Sequence, residues 1–276
     1  MIAHHEHTLE DIMNDVTHNI DVLEIYHENT KNHLWPKRNR KAHQIHYAKF
    51  VLELMATGPK TYENRTKLDL PKKEDMEEVD VSFETVLRTR HSSRHFGEQP
   101  LSLKDLAKVL FFANGITNSY ISAGYQNYRR NVPSSGNLGS IEIYPFITNV
   151  AGANPGIYHY NPLKHELDCL RLGNFRKEIS ERMIYQPEFA DAGALLVLSA
   201  LIQRVKKKYG ERAYRYVHLD AGHIGENVYL TCSALGIGCC ATAGFIDEEV
   251  NAFIGIDSLN ETVVYILAIG QSKLEY

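Results

Sequence analysis

Arg90-His-Ser-Ser-Arg-His-Phe96 packs two guanidiniums, an imidazole and two hydroxyls into five consecutive residues. That is enough donors to hold a phosphate and a neighbouring polyol. Further on, Arg129-Arg-Asn-Val-Pro-Ser-Ser-Gly-Asn137 offers a proline-set turn, two more hydroxyls, a glycine and a carboxamide. Such a set suits the edge of a flat heteroaromatic ring. Arg90 and Arg94 stand four apart, so a continuing helix would let them clamp a phosphate from one face. Taken alone, the first run also reads as an exposed basic turn.

Outward from these segments, Phe83, Val86 and Leu87 fit a helix leading into the arginine run. Ser102-Leu-Lys-Asp105 is a capping box with Asp in place of Glu, and opens a helix through Leu106, Val109, Leu110 and Ala113 that stops at Gly115. Ile141–Thr148 reads as a strand, with Pro145 suggesting an edge or bulge position. Gly156–Tyr160 and Leu167–Leu172 flank an Asn161-Pro162 turn and read as a hairpin. Phe175–Tyr185 looks helical.

Gly193–Ala200 is a near-continuous apolar run, as for a strand buried on both faces. Tyr214–Leu235 follows as a long helix whose stripe runs Val217, Ala221, Ile224, Val228 and Leu235. Gly222 and Gly225 inside it predict close approach of another helix, since interior glycines otherwise weaken it. Gly236-Ile-Gly238 ends that helix, Asp247–Ile254 is a short one, and Thr262–Ile269 is a last buried strand. The sum is α+β, a mainly antiparallel sheet enclosed by helices. Residues 1–80 read as an N-terminal helical and polar extension and residues 81–276 as the main domain. An amphipathic helix is expected near Leu9–His27, and a solvated basic loop over Lys31–Lys41, anchored by Trp35.

Of the 276 residues, 43% are apolar and 23% charged, an ordinary globular balance. The net charge of −4 argues against a nucleic-acid binder. No apolar run reaches the roughly 18–20 residues that span a bilayer, so no membrane role is expected. The N-terminus lacks the regions of a secretion signal, and the expectation is cytoplasmic. Cys169, Cys232, Cys239 and Cys240 form no Cys-x-x-Cys pair and are expected as reduced thiols. No metal site is expected: His4, His5 and His7 read as a terminal tail, and His218 and His223 are misspaced for one ligand face.

The two opening segments resemble the two halves of the flavin mononucleotide site of the nitroreductase family. The resemblance implies a nitroreductase-like fold and an intertwined homodimer with FMN between the subunits. Arg90, His91, Ser92 and Arg94 would hold phosphate and ribityl from one copy. Pro133, Ser134, Ser135 and Asn137 would come from the other. A loop after the long helix would offer backbone N–H groups to the flavin, here Ala243 and Gly244 of Ala241-Thr-Ala-Gly-Phe245, where the family often carries Glu-Gly. Lys273 is the cation available near the C-terminus, and whether it reaches the phosphate is open.

Tyr26–Lys31, Lys208–Tyr216 and His218–Leu230 are further similar to the SagB-type dehydrogenases, the azoline oxidases of thiazole/oxazole-modified peptide biosynthesis. That branch associates a Lys-Tyr pair with its active site, which maps onto Lys208 and Tyr209. Aromatising an azoline removes a ring proton and a hydride, so a base beside the flavin is needed. Either Tyr209, acidified by the Lys208 ammonium, or a desolvated neutral Lys208 would serve. A solvated basic turn with a packing tyrosine is the plainer alternative. Two other functions stay open: an NAD(P)H-dependent nitro, quinone or enone reductase, and a non-catalytic subunit that binds a peptide or a cyclodehydratase partner.

Overall fold

The computed structural model describes residues 22–31 and 49–273. The expected helix from Leu9 lies outside these up to residue 21, as do His4, His5, His7 and the basic stretch from residue 32 through Trp35. The chain divides into two units, Met1–His46 and Tyr47–Tyr276. The first contains helix α1, Val22–Asn29, whose last turn is closed by Thr30 Oγ1 donating to the Tyr26 carbonyl at 2.6 Å.

The second unit opens with helix α2 (Lys49–Met55), strand β1 (Lys67–Asp69) and helix α3 (Phe83–Thr89). Strand β2 (Leu101–Ser102) runs into helix α4 (Leu103–Asn114), followed by strands β3 (Ile116–Ser122), β4 (Tyr125–Arg130), β5 (Ile141–Ile147) and β6 (Val150–Ala151). Then come β7 (Gly156–Asn161), β8 (Glu166–Leu172), β9 (Ala194–Ala200), helix α5 (Ile202–Tyr209) and the long helix α6 (Ala213–Leu235). Strand β10 (Gly238–Thr242), helix α7 (Asp247–Ile254) and strand β11 (Thr262–Gly270) follow, and short helical turns such as Arg176–Glu178 and Ile179–Met183 lie between the longer elements.

Seven strands form one sheet in the order β1-β8-β7-β5-β9-β11-β10, and every neighbouring pair is antiparallel. Strand β9 lies inside the sheet and is buried along its whole length. Alternation of side chains along a strand explains why its run is continuously apolar. Leu196 and Leu198 join Val217, Ile224 and Val228 of α6 in one cluster. Leu195 and Val197 join Ile179, Phe189 and Val250 in another. Each fully buried side chain of this kind contributes about 1.5–3 kcal/mol. Two core layers thus flank one sheet.

Helix α4 starts at the expected cap: Ser102 Oγ accepts the Asp105 N–H at 3.0 Å, while the Asp105 carboxylate takes the Ser102 hydroxyl at 2.7 Å in place of the backbone N–H of a full capping box. Helix α6 ends at Gly236, whose φ of 68° is left-handed, with N–H groups of Gly236 and Ile237 returning to the last turn.

Three expectations change. Residues 49–80 pack with the larger unit, because β1 pairs with β8 and Lys60 Nζ lies 2.7 Å from Glu261, so the 80/81 boundary falls inside a packed body. Pro145 sits in a strand with neighbours on both sides rather than at an edge. Its pairing to β9 is intact, but β7 pairs with β5 only at Phe146 and Ile147, so its missing N–H interrupts no ladder there. Gly225 admits the Tyr265 ring of β11, not a helix: a methyl built there would fall 2.7 Å from that ring, whereas one on Gly222 would meet nothing within 4 Å.

Candidate active site

The Arg90 run begins where α3 stops. Arg90 caps the helix with its N–H on the Val86 carbonyl at 3.0 Å, and the chain then extends. Arg90 and Arg94 therefore share no helical face. The extended run is held from both sides. Ser93 N–H donates to the Cys239 carbonyl at 2.9 Å, while Lys273 N–H donates to the His95 carbonyl at 3.0 Å and Gly97 N–H to the Gln271 carbonyl at 2.8 Å. The C-terminal tail thus lies alongside residues 95–97.

A cavity of about 610 Å³ opens against this run, lined by His91, Ser92, Ser93, Tyr229, Ser272 and Lys273, with Cys232 and Cys239 at its base. The Ser92 hydroxyl stands 3.2 Å from the Tyr229 hydroxyl, and the Ser93 and Ser272 hydroxyls are 2.9 Å apart. The Arg90 guanidinium sits 5.4 Å from the Tyr229 ring centroid, and Arg94 is exposed. Burial, with the neighbouring Cys232 thiol, pushes the Cys239 thiol well above its usual range. Lys273 is the lysine among the lining residues. A wall of serine and tyrosine hydroxyls, with Lys273 among the lining residues, suits an anionic group carrying a polyol.

The second segment forms a tight turn. Gly136 and Asn137 have φ of 61° and 58°, the left-handed region that glycine enters without a Cβ penalty. Ser134 Oγ accepts the Gly139 N–H at 3.1 Å. Ser135 turns inward: its N–H lies 3.0 Å from both carboxylate oxygens of Asp220, and its hydroxyl donates to Oδ1 at 2.8 Å. Asn137 Nδ2 reaches the Tyr120 hydroxyl of β3 at 3.4 Å.

Lys208 and Tyr209 end helix α5 and converge on this turn. A methyl group built on Gly136 would fall 2.5 Å from both Lys208 Nζ and the Tyr209 hydroxyl. Lys208 Nζ is also 3.7 Å from Met55 Sδ and 5.3 Å from the Tyr209 ring centroid, and Tyr209 meets the Tyr216 ring edge-on at 4.9 Å. Burial draws the Lys208 ammonium below the ordinary lysine range, toward its neutral form. Lys206, by contrast, is an exposed partner of Glu211 at 3.1 Å.

Ala243 and Gly244 lie between β10 and α7. Ala243 is exposed; the Gly244 N–H donates to Thr242 Oγ1 at 2.8 Å, and its carbonyl accepts the Tyr185 N–H at 3.0 Å. Among the described residues no group of three or more His, Cys, Asp and Glu is placed to hold a metal ion, and no helix is long and apolar enough to cross a membrane.

Helix α6 connects the two halves. Tyr229 touches Ser92 and Asp220 touches Ser135. Nine residues separate them, which on an α-helix is about 13.5 Å and two and a half turns, a net offset of half a turn. Within one chain the two segments therefore lie on opposite sides of α6 and do not converge. Sequence reading missed both Tyr229 and Asp220. The available signal was Asp220 itself, a charged residue next to the Val217–Ala221 apolar stripe.

Residues 87–271 match the nitroreductase family. The chain belongs to that family. It is 33% identical over 201 residues to the candidate nitroreductase MJ1384 of Methanocaldococcus jannaschii, covering 73% of this chain and 95% of that one. It is 26% identical over 211 residues to the trifolitoxin-processing protein TfxB of Rhizobium leguminosarum bv. trifolii, covering 74% of this chain and 56% of TfxB. The crystal structure of a candidate nitroreductase from Anabaena variabilis superposes with a TM-score of 0.69 at 25% identity, over 91% of this chain and 47% of that one. The chain thus spans about half the length of the last two.

Proposed function

We propose that this chain is an FMN-dependent dehydrogenase that oxidises thiazoline or oxazoline rings of a ribosomally made peptide to azoles, working as a homodimer. The observation that carries it is the convergence of Lys208 Nζ and the Tyr209 hydroxyl on Gly136 of the Pro133–Asn137 turn. The relationship to TfxB, a trifolitoxin-processing protein, supports a peptide as substrate. A cyclodehydratase that makes the azoline is the partner this chemistry calls for.

The donor set fits FMN. Lys273 and Arg90 would neutralise the phosphate, His91 and Ser92 would hold the ribityl chain, and Arg94 would add charge at the rim. Pro133, Ser134 and Asn137 would face the ring edge from the second copy, consistent with their separation from Ser92 across α6, and Ser135 would keep that turn in place. Ala243 would offer its N–H, with Gly244 shaping the loop. When bound, FMN supplies the two-electron acceptor. The ring-carbon proton passes to the base, and the low-lying Lys208 amine favours that residue, with the Tyr209 hydroxyl orienting it.

A second reading, an NAD(P)H-dependent reductase, is favoured by the 33% identity to MJ1384. One experiment separates the two. Purified chain loaded with FMN is mixed anaerobically with NADH, and separately with an azoline peptide in air. Peptide oxidation without bleaching by NADH supports the dehydrogenase; rapid bleaching and an untouched peptide support the reductase. Lys208→Ala and Tyr209→Phe variants that bind FMN normally yet oxidise the peptide at the wild-type rate would refute the assigned base.

A further inference from the structure

We infer that Asp220 is a positioning residue: its buried carboxylate fixes Ser135 and thereby sets the spacing between the Pro133–Asn137 turn and the Lys208–Tyr209 pair. The inference rests on the flavin-site reading above and extends it to a residue outside both binding segments.

Asp220 is 3% exposed and stands on α6 beside Val217 and Ala221, which are core residues. A buried carboxylate is costly unless its lone pairs are filled. Here Ser135 N–H divides between both oxygens at 3.0 Å, Ser135 Oγ donates to Oδ1 at 2.8 Å, and Ser140 Oγ lies 3.4 Å from Oδ2. Both partners belong to the segment that forms the turn and its exit. Burial raises the Asp220 carboxyl above the usual carboxylate range, and the donations from Ser135 and Ser140 oppose that rise.

The neighbouring residue explains why this matters. Gly136 follows Ser135 directly and lies against Lys208 and Tyr209, where a methyl group would have to displace both side-chain ends. Any displacement of Ser135 is passed to Gly136 through one rigid peptide. A leucine at this position would satisfy the core at lower cost, so the carboxylate has a job that packing does not explain. That job is to hold the turn against the helix.

The test uses the full chain in four forms: wild type, Asp220→Asn, Ser135→Ala and the double variant. FMN affinity is read from quenching of flavin fluorescence, the cofactor's surroundings from visible circular dichroism, and folding from a thermal melt. Asp220→Asn is expected to melt cooperatively, to bind FMN about tenfold more weakly, and to change the visible spectrum. Ser135→Ala, which keeps its backbone N–H on Asp220, is expected to shift both readouts the same way by less, and the double variant to be no worse than Asp220→Asn, because the two residues act as one. Folded Asp220→Asn with wild-type affinity and spectrum overturns the inference, as do multiplying effects in the double variant. Should Asp220→Asn fail to fold, Asp220→Leu, which removes the buried charge, decides on the same readouts. Wild type that takes up no FMN overturns the flavin reading and this inference with it. Wild type that binds FMN but ignores azoline peptides overturns the substrate assignment alone.

Discussion

The Tyr229 hydroxyl lies 3.2 Å from Ser92 Oγ and accepts the Ala241 N–H at 2.7 Å, tying the arginine run and strand β10 to the long helix by one oxygen. Tyr229→Phe removes the acceptor and leaves Ala241 N–H unpaired. The expected loss is about 1–2 kcal/mol, seen as a lower urea midpoint at constant slope, together with weaker FMN binding.

Gly136→Ala tests the convergence directly. The left-handed φ costs about 1–2 kcal/mol for a residue with a Cβ, and the new methyl must displace both Lys208 Nζ and the Tyr209 hydroxyl. The expected result is a folded protein whose azoline oxidation falls by about a hundredfold, measured at saturating FMN.

Lys208 predicts a pH limb. A base must be neutral to act, so the rate rises as pH climbs through the Lys208 pKa. Burial places that rise below the free-lysine value of 10.5. Lys208→Ala should abolish the limb while FMN affinity stays at the wild-type value, as a rate profile against pH will show.

Lys273→Ala should weaken FMN binding by about tenfold, since Lys273 lines the same cavity as Ser92. The deficit should shrink as salt rises, because screening already weakens the wild-type attraction. Fluorescence titration at two ionic strengths measures it.

His159 carries a stability prediction away from the site. Its imidazole lies 2.9 Å from Glu142 and 3.2 Å from Asp168 in the sheet. Burial opposes its protonation, but hydrogen bonds to Asp168 and Glu142 prevail and raise its pKa above 6.5. That contribution is full below pH 6.5 and is lost as pH rises through the elevated folded value. Burial disfavours the charged forms of Glu142 and Asp168, yet His159, with Lys67 at Asp168, lowers both below 4.5 and 3.8. Their contribution is present above those values and is lost as pH falls through the depressed ones. Stabilisation is therefore full between pH 4.5 and 6.5. His159→Gln should cost about 3–5 kcal/mol there and less at higher pH, measured by urea unfolding across that range.

What the sequence disclosed was local. Ser102 and Asp105 announce a helix start because their bonds close within three residues, and β9 announces itself because both its faces are buried. Strands β3 and β4 were not read, since they pair only with each other and carry polar residues on both faces. Strand β1 is three residues long, too short for any period. At the site, the serines and arginines were legible as donors, but their anchors were not. Asp220 and Tyr229 are bonded to residues 85 and 137 positions away, and such partners leave no mark on local spacing.

The half-turn offset between Asp220 and Tyr229 makes α6 a ruler with two marks. Point substitutions along its exposed side leave the marks where they are. Inserting a single residue between them would swing one by about 100° against the other and add 1.5 Å, unfastening either the turn or the arginine run. In relatives that keep both anchors, insertions and deletions should therefore gather in the surface loops and spare the nine-residue interval on this helix.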